Sequence, residues 1–246
     1  MKKIFILLFL ALLCVVNARA QKKIEAPTPK ALVVNSKGEL TDLEVGESFP
    51  SGNDVSKATY VPLTVRFYAN APEVDGFSLT YMWNFFEEGD TDPYLVRYDA
   101  DEEIELRESG TITVKPTITY TSKDDNNDVR CFEYSPFSIT IPESSLEAPN
   151  AFSPNGDTKY DYYNVFNVKS IIEFHAAIYN RWGQELYSWG IDEIEGYGTG
   201  WDGTYNGNPV KPGVYFVVIK AKGADGIEYE IKRDVNLLRG YSEGVK

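Results

Sequence analysis

The chain has 246 residues, and its 24 lysines and arginines are outnumbered by 37 aspartates and glutamates, so the formal net charge at pH 7 is −13. A surface this acidic repels nucleic acid and anionic lipid headgroups, which argues against both classes of partner. With 14% aromatic residues, the chain is long and apolar enough to build two packed cores.

The N-terminus has the parts of a secretory signal peptide. Two lysines follow the initial methionine, residues 4–16 are almost uniformly apolar, and Ala18-Arg19-Ala20 places small residues where a signal peptidase cuts. The apolar run is shorter than the roughly 20 residues of a membrane-spanning helix. Residues 1–20 are therefore predicted to be a cleaved signal peptide, with Gln21 as the mature N-terminus.

Cleavage at this point takes the formal charge to −16 and leaves Cys131 as the remaining cysteine. A lone cysteine excludes an intramolecular disulfide, although export leads to an oxidising compartment. A lipoprotein modified at Cys14 is the alternative, and the bulky Leu13 before it argues against that modification. No second apolar stretch approaches membrane-spanning length, so direct membrane insertion is not expected.

The next segments predict an extended leader followed by a β-sandwich. Residues 21–30 contain two prolines and no periodicity, whereas residues 31–141 alternate between apolar and polar side chains, as strands with one buried face do. The clearest strand alternates Ile112, Val114, Pro116, Ile118 and Tyr120 with Thr111, Thr113, Thr117, Thr119 and Thr121. Because proline lacks a backbone donor, Pro116 predicts an edge strand or a bulge.

Two stretches of this first domain carry a loose likeness to known modules. The strands Tyr81-Met82-Trp83-Asn84-Phe85 and Gly110-Thr111-Ile112-Thr113-Val114 resemble those of immunoglobulin-like and PKD-like modules on bacterial surfaces. A fold likeness does not give a function.

Few residues of the chain could carry catalysis. His175 is the one histidine, which excludes multi-histidine zinc sites, and its place in an apolar strand predicts a half-exposed structural residue. Cys131 precedes an apolar strand and is predicted to be a small buried hydrophobe. The acidic residues cluster in turns, where solvated loops are expected. The sequence therefore predicts no enzyme and no catalytic residue.

After a polar linker at 142–148, the C-terminal region consists of short apolar strands joined by regularly spaced turns. This pattern predicts a second β-sandwich over residues 149–246 and an all-β protein with two sandwich domains. Its motifs are Pro149-Asn150-Ala151-Phe152-Ser153-Pro154-Asn155-Gly156-Asp157, Ile178-Tyr179-Asn180-Arg181-Trp182-Gly183-Gln184, Trp201-Asp202-Gly203, Pro212-Gly213-Val214-Tyr215-Phe216 and Val235-Asn236-Leu237-Leu238-Arg239.

In order and position, these motifs closely resemble the gliding motility-associated C-terminal domain of Bacteroidetes, also called the type B sorting domain of the type IX secretion system. The resemblance covers residues 148–240. It implies transit through the periplasm, translocation across the outer membrane, and a place at the cell surface or outside the cell. The implied partners are the type IX translocon and an outer-membrane β-barrel.

Two functions follow from this resemblance. One is an exported surface protein whose first sandwich, the passenger, has a non-catalytic binding or assembly role. The alternative is an accessory or regulatory component of the secretion system, because the sorting region occupies nearly half of the mature chain.

One loop is a candidate cation site. Asn155, Asp157 and Asp161 place oxygen atoms on a tight turn, as calcium loops do. Thr158 and Tyr160 replace a glycine and an asparagine usual in the family, and Lys159 adds a positive charge. An Asx-type turn without metal is the favoured interpretation, and no other cofactor is predicted.

The remaining motif residues have either a structural or a recognition role. Trp182 and Trp201 are predicted as core anchors, although the same residues with their polar neighbours could form the surface that the secretion machinery reads. The apolar run Val214–Ile219 predicts a strand buried on both faces. The sorting-signal candidates are Asn155, Gly156, Asp157, Asn180, Arg181, Trp182, Gly183, Trp201, Asp202, Gly203, Gly213, Tyr215, Leu237, Leu238 and Arg239.

Overall fold

The computed structural model describes residues 23–51, 56–125, 128–194 and 198–239. The predicted signal peptide and the tail after Arg239 lie outside these residues. The described chain is almost entirely β-structure, as predicted, with two short 3₁₀ helices at Ser56–Thr59 and Ile191–Glu193.

The passenger is built from ten strands in two sheets. They are β1 (Lys30–Val34), β2 (Leu40–Glu44), β3 (Ser48–Phe49), β4 (Leu63–Tyr68), β5 (Phe77–Glu87), β6 (Leu95–Arg97), β7 (Asp101–Leu106), β8 (Gly110–Ser122), β9 (Val129–Glu133) and β10 (Phe137–Ile141). One sheet has the order β2-β1-β4-β7. The other has the order β3-β10-β8-β5-β6, with β9 also paired to β8.

The core of the passenger lies between these two sheets. Phe67 from β4 packs its ring 5.5 Å from that of Trp83 and 5.7 Å from that of Phe85, both on β5. The alternation predicted for β8 is confirmed, because Val114, Pro116, Ile118 and Tyr120 are buried and the threonines between them are only partly covered.

The expectation that Pro116 marks an edge strand or a bulge is wrong. β8 lies inside its sheet and pairs with β5 from Ile112 to Ser122. On its other side β10 pairs with residues 110–114 and β9 with residues 117–121. Pro116 therefore falls in the gap between two partner strands, where its missing N–H leaves no acceptor unpaired.

The C-terminal domain contains the other nine strands. They are β11 (Ser145–Glu147), β12 (Ala151–Phe152), β13 (Phe166–Lys169), β14 (Ile171–Tyr179), β15 (Glu185–Gly190), β16 (Thr204–Tyr205), β17 (Asn208–Pro209), β18 (Gly213–Gly223) and β19 (Glu228–Leu237). A five-stranded sheet has the order β12-β19-β18-β14-β15, and β11–β13 and β16–β17 form two small sheets.

The segment predicted as a linker is partly folded. β11 lies within it, and Leu146 and Ala148 are buried in the core of the C-terminal domain. The folded domain thus begins ahead of residue 149. Pro142 and Ser144 precede the strand without preventing it.

One face of the five-stranded sheet packs into the core and the other faces solvent. Val217, Ile219 and Val235 are buried on the inner face, whereas Val214 and Phe216 are 50% and 42% exposed. The prediction that residues 214–219 are buried on both faces is therefore wrong. The described part of the domain places no second layer over the outer face of β18.

The two domains meet at a joint, which we define as Thr59, Ser109, Ser170 and Ala224. The amide of Ser109 donates to the carbonyl of Ala224 at 3.1 Å, and the amide of Ser170 donates to the carbonyl of Thr59 at 3.0 Å. Ala224, in the turn between β18 and β19, is only 5% exposed and packs with the passenger core. The C-terminal domain is therefore docked through this turn.

Candidate functional site

The register of the sheet gathers the sequence motifs at one end of the C-terminal domain. β18 pairs Gly213 with Leu237 of β19 at this end, and β12 places Phe152 beside the same Leu237. β14 also ends here, since Tyr179 lies opposite Phe216. The joint lies at the other end of β18, roughly 33 Å away for an eleven-residue strand.

We call this end the motif pole. It comprises the loop 153–161, the hairpin turn 180–184, the turn 201–203, residues 213–215 and the end of the domain at 237–239. The sorting-signal candidates are spread over 85 residues of sequence, and the structure brings them together there.

The loop 153–161 is organised around the carboxylate of Asp161. Its Oδ1 accepts hydrogen bonds from the amides of Asn155 (2.8 Å) and Gly156 (2.7 Å), and its Oδ2 accepts one from the amide of Thr158 (2.8 Å). The backbone hydrogen bond from Gly156 lowers the pKa of Asp161, burial opposes the shift, and the bonds from Thr158 and Asn155 add to it. A carboxylate bonded to several N–H groups favours its charged form.

The oxygen atoms of the calcium candidates accept hydrogen bonds from the protein itself. Asp161 already satisfies three donors, and Asp157 accepts the amide of Lys159 at 2.8 Å and the side-chain amide of Asn155 at 3.0 Å. Asn155 Oδ1 accepts the amide of Asp157, which closes an Asx turn. Among the described residues, no group of three or more His, Cys, Asp or Glu side chains could hold a metal.

The hairpin turn 180–184 presents an aromatic side chain to solvent. Asn180 fixes the turn, because its Oδ1 accepts the amides of Trp182 and Gln184, each at 3.0 Å. Trp182 is 76% exposed, and the guanidinium of Arg181 lies 4.3 Å from its ring centroid. The prediction of Trp182 as a core anchor is therefore wrong, since the turn carries it beyond the sheet.

Trp201 is the core anchor that the sequence predicts. It is fully buried, its ring centroid lies 5.3 Å from that of Phe152 and 5.0 Å from that of Tyr215, and its Nε1 donates to the carbonyl of Thr204 at 2.8 Å. The neighbouring Asp202 accepts both the amide and the hydroxyl of Thr204. This part of the motif holds the pole together from inside.

Gly203 has a steric reason to be glycine. Its φ is +76°, and a Cβ at this position would lie 2.9 Å from Leu237 Cδ1 and 3.1 Å from Pro154 Cγ. Its carbonyl accepts Nη2 of Arg239 at 2.9 Å. Leu237 is buried, whereas Leu238 is 54% exposed.

Two cations of the pole lie near Tyr215. Burial raises the pKa of Tyr215, and the positive charges of Arg239 and Arg181 oppose the shift. The Tyr215 hydroxyl donates to the carbonyl of Lys211 at 2.7 Å. Within the described residues, neither arginine forms an ion pair, and Nε of Arg239 is buried without a hydrogen-bond partner.

Sequence reasoning missed two polar groups that organise this domain. Asn164 donates to the carbonyl of Glu193 and the hydroxyl of Thr199, and accepts from Nε1 of Trp189, each at 3.0 Å. Asp225 accepts the amide and hydroxyl of Ser144 beside the joint. Asp225 lies in an Asp-Gly turn, but nothing in that motif indicates its contact with Ser144, and no turn motif marks Asn164.

The two residues considered for catalysis are both exposed and far apart in the fold. His175 lies on the outer face of β14, opposite Lys220. Cys131 is exposed beside Thr119 on the outer face of β9, so its predicted burial is wrong. The neighbouring Phe132 points the other way and packs against the core, because side chains alternate along a strand.

Residues 146–232 match the family model described as CHU_C Type IX secretion signal domain. The C-terminal domain is a type IX secretion signal domain. Its presence supports delivery of the chain by that system, implies contact with the secretion machinery, and implies export to the cell surface or secretion. No curated protein matches the chain. The described residues include no helix that is long and apolar enough to span a membrane.

Three solved structures are similar at low level. Dimeric latent PorU from Porphyromonas gingivalis is 12% identical with a TM-score of 0.25, over 89% of this chain and 21% of that chain. The fibronectin(III)-like modules of Clostridium thermocellum CbhA are 10% identical with a TM-score of 0.21, over 86% of this chain and 96% of that chain. The FN1-FN3 domains of chicken CNTN1 are 8% identical with a TM-score of 0.21, over 88% of this chain and 96% of that chain. The chain spans about a fifth of the PorU chain.

Proposed function

We propose that this protein is a non-catalytic surface cargo whose passenger binds or assembles with a ligand outside the cell, and whose C-terminal domain presents its motif pole to the secretion machinery. The observation that supports the proposal is the opposite placement of the joint and the motif pole. Because the passenger occupies one end of the domain, the motifs at the other end remain accessible.

The surface of the passenger suits binding rather than chemistry. Its outer sheet face carries a row of half-exposed threonines on β8, and Cys131 on the same face has no histidine near it, since His175 lies in the other domain. A flat polar face of this kind offers hydroxyl groups for hydrogen bonds without a nucleophile and base pair.

The proposal is tested by removing residues 148–246 and measuring the fraction of protein that external protease digests on intact cells. We expect surface exposure to disappear, and we expect the same for the full chain in a strain that lacks type IX secretion. Unchanged exposure of the deletion form contradicts the proposal. Purified protein with a hydrolytic or transfer activity that His175→Ala or Cys131→Ala abolishes contradicts the non-catalytic role.

Retention at the surface by an outer-membrane β-barrel is part of the same proposal. It predicts that washed cells keep the protein and that loss of the barrel releases it to the medium. The accessory role in the secretion system predicts instead that deleting the gene impairs export of other cargo. For a surface cargo, we expect other cargo to be exported normally.

A further inference from the structure

The exposed part of the motif pole combines an aromatic anchor with unpaired positive charge. Trp182 is 76% exposed on a turn that Asn180 fixes with two hydrogen bonds. Arg181 stacks on its ring instead of pairing with a carboxylate. A rigid turn loses little conformational freedom when its side chains become buried in a complex, which favours binding.

The positive charge beside this anchor is not neutralised by an ion pair. Among the described residues, neither Arg181 nor Arg239 forms one, and both charges act on Tyr215. Arg239 instead donates to the carbonyl of Gly203, whereas Arg181 is exposed beside the Trp182 ring. On a chain with net charge −13, an exposed arginine without a carboxylate partner favours an acidic site on the binding partner.

Tryptophan and arginine are the residues that most often dominate the energy of protein interfaces. A guanidinium binds a carboxylate through two parallel hydrogen bonds, whereas the indole needs an apolar pocket. We propose that Trp182 inserts into an apolar pocket on a protein of the secretion machinery, and that carboxylates at the rim of this pocket bind Arg181, with Arg239 adding attraction. This inference rests on the proposed sorting function.

Two other occupants fit the observations less well. An anionic membrane attracts the pole but repels the remaining surface, whose net charge is strongly negative. A second copy of the chain has the same negative surface. A folded partner with a local acidic pocket avoids both repulsions, because only the pole has to approach it.

The main test measures surface delivery of full-length variants in secreting cells, together with the thermal unfolding midpoint of each purified protein. We expect Trp182→Ala and Arg181→Glu each to lower the surface fraction about tenfold or more, as hot-spot residues do. Because both side chains are exposed, the unfolding midpoints are expected to stay at the wild-type value. Arg181→Met is expected to lower the surface fraction less than Arg181→Glu does, and Arg181→Lys is expected to lower it least.

The matched controls are Tyr98→Ala, an exposed aromatic on the passenger, and Lys169→Glu, the same charge change at the joint end of the C-terminal domain. Both are expected to leave delivery unchanged. If Arg181→Glu and Arg181→Met lower the surface fraction equally, the partner site is not acidic. If Trp182→Ala is delivered as well as the wild type, the inference is wrong. If deletion of residues 148–246 also leaves delivery intact, the sorting function itself fails.

Two measurements on purified full-length protein examine the other occupants. Sedimentation with vesicles of phosphatidylethanolamine and phosphatidylglycerol is expected to leave the protein in the supernatant. Analytical ultracentrifugation is expected to show monomers for the wild type and for Trp182→Ala. Vesicle binding or dimer formation that Trp182→Ala abolishes overturns the inference in favour of a lipid surface or a second copy.

Discussion

Gly203 lies so close to Leu237 that a side chain at position 203 would press a Cβ against the leucine Cδ1 at 2.9 Å. Leu237 is buried at the end of β19, which leaves its methyl group little room to move, and Pro154 Cγ would lie 3.1 Å from the same Cβ. The contact joins the turn 201–203 to the last strand and so holds the motif pole together.

We expect Gly203→Ala to lower the free energy of unfolding of the C-terminal domain by about 2–4 kcal/mol, through positive φ and overpacking combined. Gly207→Ala is the matched control, because Gly207 has nearly the same φ, +75°, with nothing within 4 Å of the added Cβ. It is expected to cost about 1 kcal/mol. Urea denaturation of the two variants measures both free energies of unfolding. Equal decreases would contradict a contribution from packing against Leu237 and Pro154.

Because of the Asp161 carboxylate, we expect the stability of the C-terminal domain to depend on pH. Its pKa is lowered by hydrogen bonds from the backbone, so its contribution to stability is present above the ordinary aspartate pKa of about 3.9 and is lost as the pH falls through the lower native value. We expect Asp161→Asn to lower the unfolding midpoint of the C-terminal domain at neutral pH. The difference from the wild type is expected to shrink as the pH falls below about 4.

Calorimetry between neutral pH and pH 3 measures this difference. Asp157→Asn is the control, since the pKa of Asp161 depends on the amides of Gly156, Thr158 and Asn155 and not on Asp157. A rise of the wild-type midpoint on adding calcium, absent in Asp161→Asn, would contradict the metal-free interpretation of this loop.

The joint predicts that the two domains unfold together. Gly223→Ala would bring a Cβ into contact with Ser144 and Asp225, whose hydrogen bonds tie the start of β11 to the turn around Ala224. Overpacking there is expected to cost about 1–3 kcal/mol and to loosen the joint. We expect calorimetry to show one transition for the wild type and two for the variant.

Gly226→Ala in the same turn is the control, since nothing lies within 4 Å of its added Cβ. Its positive φ of +80° adds strain to the turn but leaves Ser144 and Asp225 in contact. Faster proteolysis between residues 142 and 148 is expected only in Gly223→Ala. Separate transitions in the wild type would show that the joint contributes little coupling.

Periodicity predicted most of the fold, because alternation along β8 or β4 records directly which face is buried. Periodicity does not show which strands pair with a given strand. The position of Pro116 between the segments of β8 that pair with β10 and β9 could therefore not be predicted. Composition also failed to separate Trp182 from Trp201. Both follow turn residues, and only the register of β14 and β15 shows that the first lies beyond the sheet. The Asn164 and Asp225 contacts join segments distant in sequence, for which a single chain gives no local pattern.

The end of β19 is expected to control the fold of the whole C-terminal domain. This strand lies between β12 and β18, and Val235 and Leu237 are buried on its inner face. Truncation after Glu230 removes both side chains, each worth about 1.5–3 kcal/mol when buried. It also removes the pairing with β12 and the bond of Arg239 to Gly203. Because the free energy of unfolding of a domain is typically about 5–15 kcal/mol, this loss is expected to unfold the C-terminal domain.

The truncated protein is therefore expected to accumulate in the periplasm or to be degraded, while the passenger still folds when it is expressed alone. Truncation after Arg239 is the matched control, because it keeps Val235, Leu237 and the bond of Arg239 to Gly203; we expect it to reach the surface. Cell fractionation and protease accessibility measure both forms. Normal delivery of the form that ends at Glu230 would mean that the machinery reads a shorter linear signal, such as residues 155–182, and not the folded motif pole.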